Sequence, residues 1–504
     1  MNRLHSLSSS PVRFLNDVKR YPESYWSHRG FVQALSLFHQ AAKRVPAYKD
    51  FLHTHGINPD LIQTKGDFQK VPLIDKDNYI RKYPLESLCW DGSFSQTPWV
   101  ISSTSGSTGE PTYFPRTTKQ DKLYAALAEM YLRDNFSIHK RTTLYVNCFA
   151  MGVWIGGVFT HQAVKMVADR GEYSLSIISP GINKSEAIKA VQRLGDKFDQ
   201  VIIAGYPPFV KDLIDDGIQE GLDWSQYNVG FIFSAESFSE AFRDYIFRKS
   251  GVKDIYRGSL NHYGTVDLGT MSHETPVSVL IRRLSLQHRP LFTRIFQHIT
   301  KVPTFTQYIP EMFFFEDLEG SLVCTGDGGF PLIRYDLKDN GGVLSFSQIV
   351  DHCHASGVDI FHEMERVDIS DTLWHLPFVY VYERRDLSTT LYGLNIYPET
   401  IRKALQHERF ESFVTGKFTM LTKYNDSQDQ YLEIHLELKQ AQEYTDEHIR
   451  IITDHIVSTL KANNSEYHKL HTDLGERAVP VICMWPYEDL TYFRPGTKQK
   501  WVKK

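Results

Sequence analysis

Ser102-Ser-Thr-Ser-Gly-Ser-Thr-Gly-Glu-Pro-Thr112 follows the apolar Trp99-Val100-Ile101, and its first eight residues are all Ser, Thr or Gly. Glycines let a backbone turn tightly and approach a ligand. Hydroxyls and main-chain N–H groups then offer donors to anionic oxygens without adding bulk. Such a loop after a strand reads as a phosphate cradle. It is not the nucleotide-hydrolase loop, which needs Gly-x-x-x-x-Gly-Lys-Ser/Thr, because Gly106 and Gly109 are three apart and Glu110 follows. A polar linker between domains has the same composition, so the rest of the chain has to decide.

The chain has 504 residues, enough for two or more domains with full cores. Its 41% hydrophobic and 23% charged residues are those of an ordinary globular protein. A net charge of −4 creates no field that would draw the chain to nucleic acid. Cys89, Cys148, Cys324, Cys353 and Cys483 lie far apart without CxxC pairs, which points to a reducing compartment and away from a disulfide framework or zinc knuckle. Asp351-His-Cys-His354 has no second cluster at ligand spacing and reads as a surface loop. The amino terminus lacks a signal-peptide core, and the longest near-apolar run, Met151 to Phe159, is too short for a membrane span. A cytoplasmic protein without nucleic-acid partner or membrane span is expected.

Helical spacing of apolar residues covers 30–55, broken at Pro46, and returns over Lys119–Tyr131. Strands and helices then alternate: strand Thr143–Asn147, strand Tyr173–Ile178, helix Lys184–Gly195, strand Gln200–Ala204, helix Pro208–Asp215, strand Asn228–Ser234, helix Ser239–Ser250, strand Asp254–Tyr256. This alternation predicts a mostly parallel sheet covered by helices on both faces. Ligands collect at the carboxyl ends of such strands, where the loops 102–112, 234–237 and 261–269 fall. Arg282–Gln307 has no clear placement. Met312–Phe315 with Ser321–Cys324 reads as a hairpin and Phe378–Tyr382 as a strand. The last 120 or so residues read as a small α+β domain: helix Pro398–Gln406, strands Phe413–Leu421 and Tyr431–Leu438, helix Glu447–Leu460, strand Val479–Met484.

Further segments follow in order: Phe233-Ser-Ala-Glu-Ser237, Tyr263-Gly-Thr-Val-Asp-Leu-Gly269, Pro331-Leu-Ile-Arg-Tyr-Asp-Leu-Lys-Asp339, Arg384-Arg-Asp386 with Gly393-Leu-Asn-Ile-Tyr-Pro398, and Arg494-Pro-Gly-Thr-Lys-Gln-Lys-Trp-Val502. With the Ser/Thr/Gly loop, this series resembles the adenylate-forming superfamily of acyl-CoA synthetases and adenylation domains, in particular the phenylacetate–CoA ligase and capsule-biosynthesis branch, over nearly the whole chain. The resemblance implies an α/β fold with a large N-terminal domain, 1–383, and a small mobile C-terminal domain, 384–504, hinged near Asp386.

It also implies site roles. Thr104, Ser105, Gly106, Ser107, Thr108 and Gly109 match the loop around the β- and γ-phosphates of ATP. Glu110 replaces the usual lysine there, and its charge repels phosphate unless it turns away or pairs with Arg116 or Lys119. Ala235, Glu236 and Ser237 match the adenine-pocket segment. Tyr263 offers a stacking face, and Gly264 lets the backbone approach. Asp267 stands where the family has a magnesium-binding glutamate, keeping the hard oxygen donor Mg²⁺ prefers. Val266 replaces a hydroxyl residue, and Thr265 is the hydroxyl that could stand in. Asp339 matches the ribose-binding carboxylate, with Asp327 in Thr325-Gly-Asp-Gly328 as the alternative. Arg384 matches the arginine before the hinge, and Lys498 the catalytic lysine, with Lys500 as runner-up. Phe149, Met151 and Trp154 match the acid-pocket wall, with Gly156 and Gly157 leaving room.

The implied reaction is ATP- and Mg²⁺-dependent activation of an aryl or other hydrophobic carboxylic acid to an acyl-adenylate. Pyrophosphate leaves, and the acyl group passes to a thiol (coenzyme A or a carrier protein) or an amine. Two other readings stay open. One is a nucleotidyltransferase that moves AMP to a cofactor hydroxyl. The other is a degenerate, non-catalytic nucleotide-binding protein, which Glu110, Val266 and Asp267 favour.

Overall fold

A computed structural model describes residues 7–104, 111–297, 302–384, 389–405, 407–410, 412–493 and 501–502. The chain divides into two compact units, one of residues 1–103, 113–205 and 214–385, the other of 104–112, 206–213 and 386–504.

In the first unit, β1 (Val100–Ser103) and β2 (Tyr113–Arg116) form an antiparallel hairpin. Eleven further strands make one sheet: β3 (Thr143–Asn147), β4 (Leu175–Ile178), β5 (Gln200–Gly205), β6 (Val229–Ser234), β7 (Ser259–Thr265), β8 (Gly269–His273), β9 (Thr304–Gln307), β10 (Phe313–Leu318), β11 (Ser321–Gly328), β12 (Phe330–Leu344) and β13 (Phe378–Arg384). Their order is β10-β11-β12-β13-β9-β8-β7-β6-β5-β3-β4.

The run β4-β3-β5-β6-β7 is parallel. Every position of β3 and β5 is buried, as a sheet covered on both faces requires. Helices Ile155–Asp169, Lys184–Leu194, Pro207–Gln219 and Glu240–Ser250 make the crossovers. Asn183 and Ser239 start two of them by accepting from the N–H of Glu186 and Phe242. From β7 to the other edge, all pairings are antiparallel.

Several expectations shift. Asp254–Tyr256 is a turn rather than a strand, and Asn261–Thr265, expected in a loop, belongs to β7. Arg282–Gln307 resolves into helices Pro276–Gln287 and Arg289–Phe296 followed, after residues outside the description, by β9. Pro290 starts the second helix, and Val277, Leu280, Ile281 and Leu284 give the first its buried stripe. Asp351–His354 ends helix Phe346–His354, with Cys353 in the core, so the surface-loop reading is corrected. Helix Ser465–Leu474 had no counterpart in the sequence reading.

In the second unit, β14 (Thr389–Leu391) and β15 (Leu394–Ile396) turn through Tyr392 and Gly393, both at positive φ. The strands β16 (Val414–Tyr424), β17 (Gln430–Leu438) and β18 (Val481–Trp485) form a second sheet, antiparallel then parallel. Val502 bridges to Met420, whose N–H donates to the Trp501 carbonyl at 2.9 Å.

Candidate active site

Two motifs of the first unit, 263–269 and 331–339, meet directly. The Tyr263 hydroxyl, near the end of β7, donates to Asp339 Oδ2 on β12 at 2.7 Å, and both residues are buried. Asp267, 5% exposed, sits on the turn between β7 and β8. Its Oδ2 accepts from the Tyr335 hydroxyl at 2.7 Å, and its Oδ1, without a hydrogen bond, lies 3.2 Å from Lys76 Nζ. Thr265 Oγ1 accepts from the N–H of Leu268 at 3.3 Å and so braces that turn. Gly264 is needed by the sheet itself: a Cβ there would lie 2.4 Å from the Gly269 carbonyl oxygen, at the bulge where β7 and β8 slip register.

Ala235 follows β6 in the left-handed region, at φ 74°, which costs a non-glycine residue roughly 1–2 kcal/mol. The segment stays there because buried donors hold it. Asn261 Nδ2 donates to the Glu236 carbonyl at 3.0 Å, and Arg282 to the Phe238 carbonyl at 2.7 Å. Arg282 and Arg243 share Glu274, whose Oε2 also takes the N–H of Asn261 at 2.9 Å. Burial alone would raise the carboxyl of Glu240, but Arg243, Arg282 and Arg283 hold it below its ordinary value. Ala235 and Ser237 are exposed while Glu236 is buried.

Sequence reasoning missed Lys76 and what places it. Ile74 bridges Tyr335, with its N–H donating to the Arg334 carbonyl and its carbonyl accepting from Asp336 N–H. The Arg334 guanidinium pairs with Glu316 at 3.0 Å and donates to the carbonyls of Gln69 and Val71. Asp75 caps the next turn and meets Lys338 at 2.7 Å. The signal was the turn Asp75-Lys-Asp-Asn78, a cap with a cation beside it.

Other expected residues separate. Asp327 pairs with Lys119 at 2.8 Å on the surface. Arg116 pairs with Asp121, so both cations suggested for Glu110 are committed to other carboxylates. Thr104 Oγ1 accepts from Thr112 N–H at 3.2 Å. Ser105, Gly106, Ser107, Thr108, Gly109, Glu110, Asp386, Lys498 and Lys500 lie outside the described residues, as does the side chain of Arg384. Phe149 is a core residue at 1% exposure. Met151, Trp154 and Gly156 are half-buried, and the space at Gly157 is filled by the Ala150 carbonyl and Met151 Sδ, which corrects the expectation of room there.

Among the described residues, one group has three metal-ligating side chains together: Glu433, His435 and Cys483. Trp485 Nε1, which can only donate, gives its hydrogen to His435 Nδ1. His435 Nε2 therefore carries the ring proton and donates to Glu433, which Lys423 also neutralises at 2.7 Å. That group is already satisfied without an ion. No described helix is long and apolar enough to cross a membrane.

The fold is shared with a solved acyl-CoA ligase. No protein-family model matches the chain. Among solved structures, it is similar to 2-hydroxyisobutyryl-CoA ligase in complex with 2-HIB-AMP and CoA, with a TM-score of 0.62 at 16% identity over 96% of this chain and 90% of that one. The same ligase in its postadenylation state, with 2-HIB-AMP, superposes with a TM-score of 0.52 at 15% identity. Among curated proteins, it is similar to the phenylacetate–coenzyme A ligase of Thermus thermophilus, 22% identical over 235 residues. That match spans 45% of this chain and about half, 47%, of the relative.

Proposed function

We propose that the protein activates a hydrophobic carboxylic acid with ATP, forming an acyl-adenylate and releasing pyrophosphate, and then passes the acyl group to a thiol or amine. The observation that carries this reading is the Tyr263–Asp339 hydrogen bond beside Asp267. It joins motif residues of β7 and β12, with Asp267 on the turn that follows β7, at the point where the parallel run of the sheet ends, and open α/β sheets bind ligands at such strand ends. The Thermus relative and the 2-hydroxyisobutyryl-CoA ligase support the same chemistry and make coenzyme A the favoured thiol.

In this mechanism an oxygen of the acid attacks the α-phosphorus of ATP in line as the bond to pyrophosphate breaks. Little proton transfer is needed, so orientation and charge neutralisation dominate. Asp339 accepts the ribose hydroxyls, oriented by Tyr263. The segment 235–237 takes the adenine and residues 104–109 the phosphates. Asp267 fits magnesium through its buried Oδ1, which makes no hydrogen bond; the ion would offset phosphate charge. Lys76 Nζ, 3.2 Å from that same oxygen, neutralises the carboxylate in this structure and would give way to the ion. Lys498 brings a positive charge to the α-phosphate, and the unit from Asp386 onward carries it in and out.

Acid-dependent ATP–pyrophosphate exchange tests the reading. The wild-type chain should exchange label only with acid present, and Lys498→Ala should lose that exchange. Label exchange without acid, or a stable product carrying AMP on a hydroxyl, would instead favour nucleotidyl transfer.

A further inference from the structure

The far end of the chain is fastened to the second unit's own sheet. The Trp501 ring centre lies 4.8 Å from that of Phe418 on β16, and the Arg402 guanidinium, from helix Pro398–Leu405, stands 4.4 Å from it. The Trp501 carbonyl accepts the Met420 N–H at 2.9 Å, and Val502 bridges Met420 as a parallel partner. Phe418 and Met420 are fully buried, so the indole rests against the core of this unit. Covering the open edge of β16 asks only for main-chain pairing, which Val502 supplies. An indole held between an aromatic ring and a guanidinium is a second, side-chain grip.

The chain is held again at Phe493, eight residues earlier. Phe493 is buried and donates its N–H to the Asp489 carbonyl at 2.8 Å. The neighbouring Tyr492 ring stacks on His435 of β17 at 4.0 Å, with Trp485 of β18 4.7 Å away. Between the two grips run Arg494-Pro-Gly-Thr-Lys-Gln-Lys500, outside the described residues. Chain length alone bounds them: at about 3.6 Å per residue, the Cα of Lys498 stays within roughly 11 Å of the Cα of Trp501. The links on its two sides differ. Gly496, with its conformational freedom, separates Lys498 from Phe493, whereas only Gln499 and Lys500 separate it from Trp501. The grip at Trp501 is therefore the shorter and stiffer tether.

We propose that Trp501 is a positioning residue for Lys498, and that its anchor on Phe418, Arg402 and Met420 fixes where the lysine presents its charge during adenylate formation. The proposal rests on the adenylation reading above. A charge that offsets one developing on phosphate acts only where it is well placed, and a misplacement of about 1 Å can cost on the order of 100-fold in rate.

Two measurements test it. Acid-dependent ATP–pyrophosphate exchange is compared for the wild type, Trp501→Ala and Trp501→Phe. Trp501→Ala should lower kcat about 100-fold with KM for ATP and the melting temperature unchanged, since the nucleotide is held elsewhere. Trp501→Phe, which keeps a ring for Phe418 and Arg402, should recover most of that rate. A Trp501→Ala chain that exchanges as fast as the wild type, or one that loses KM, kcat and stability together, would overturn the proposal. Independently of catalysis, amide hydrogen exchange is followed by mass spectrometry in peptides spanning residues 418–422. The Met420 amide should exchange faster in Trp501→Ala and stay slow in Trp501→Phe. Unaltered protection in Trp501→Ala would show that the indole is not what holds the tail, and would overturn the proposal as well. If the wild type exchanges label with no acid, the adenylation reading fails and the role of Trp501 with it, whereas a failure confined to the variants leaves that reading standing.

Discussion

The parallel and antiparallel halves of the large sheet solve different problems with the same backbone. The parallel strands β3 and β5 are buried at every position, and their side chains mainly fill space. The antiparallel half buries Glu316, Arg334, Asp336 and Asp339 and holds Arg334 and Lys338 at φ 49° and 60°. Buried charge and left-handed backbone both cost stability. They concentrate on β10 and β12, the latter carrying Asp339 and Tyr335 of the candidate site.

The largest effect expected from this contrast lies at Glu316. Truncation to alanine leaves the buried Arg334 guanidinium without its carboxylate, and losing one partner of a buried pair costs about 3–5 kcal/mol. Chemical denaturation should show that loss, along with weaker nucleotide binding as the strand bearing Lys76's anchor loosens. In the parallel half, Ile202→Ala should cost about 2–5 kcal/mol through a cavity, yet leave KM for ATP unchanged in the folded fraction. If Ile202→Ala changed KM while Glu316→Ala did not, the two halves would not divide the labour as described.

Where the halves join, His262 on β7 faces His273 on β8, both buried with Nε2 unpartnered. Burial, reinforced by His273, pushes His262 down to about 3, and burial pushes His273 down to about 4. In the unfolded chain both titrate near 6.5. Above that pH they contribute nothing to the pH dependence. As pH falls from 6.5 toward 4, the unfolded state takes up protons that the fold refuses, and stability drops by about 1.4 kcal/mol per pH unit for each histidine. Unfolding curves across that window should flatten in His262→Gln and again in the double variant with His273→Gln. A slope identical to wild type would contradict it.

The smallest effect is at Ala235. Ala235→Gly removes the left-handed strain and should raise stability by a few tenths to about 1 kcal/mol, less than the strain itself because glycine also loosens the unfolded chain. A loss measured by thermal unfolding would mean that the methyl group makes a contact that outweighs the strain.

How much was legible follows from the same contrast. Helix and strand periods alternate through 173–250, so most of the parallel half could be read from apolar spacing, while helix Ile155–Asp169 went unread. The antiparallel half could not. The Pro331–Asp339 segment is stitched by Arg334 to residues 69 and 71, over 260 positions away, and no local pattern announces that. Tyr263, Asp267 and Asp339 were found by motif, but the hydroxyl of Tyr263 is spent on Asp339 rather than only its ring on a base. Lys76 was overlooked because its partner is 191 positions further along the chain. The expectation of room at Gly157 failed because small residues leave room only where nothing else enters, and here the Ala150 carbonyl does.

Calorimetric titration with ATP and magnesium separates the two candidate ribose carboxylates. Asp339→Ala should weaken binding by roughly tenfold to a hundredfold, the equivalent of a charged hydrogen bond's 1.5–3 kcal/mol, while Asp327→Ala, losing only a surface pair with Lys119, should bind as the wild type does. The reverse pattern, with Asp327→Ala crippled and Asp339→Ala intact, would show that the nucleotide is not held at the Tyr263–Asp339 junction.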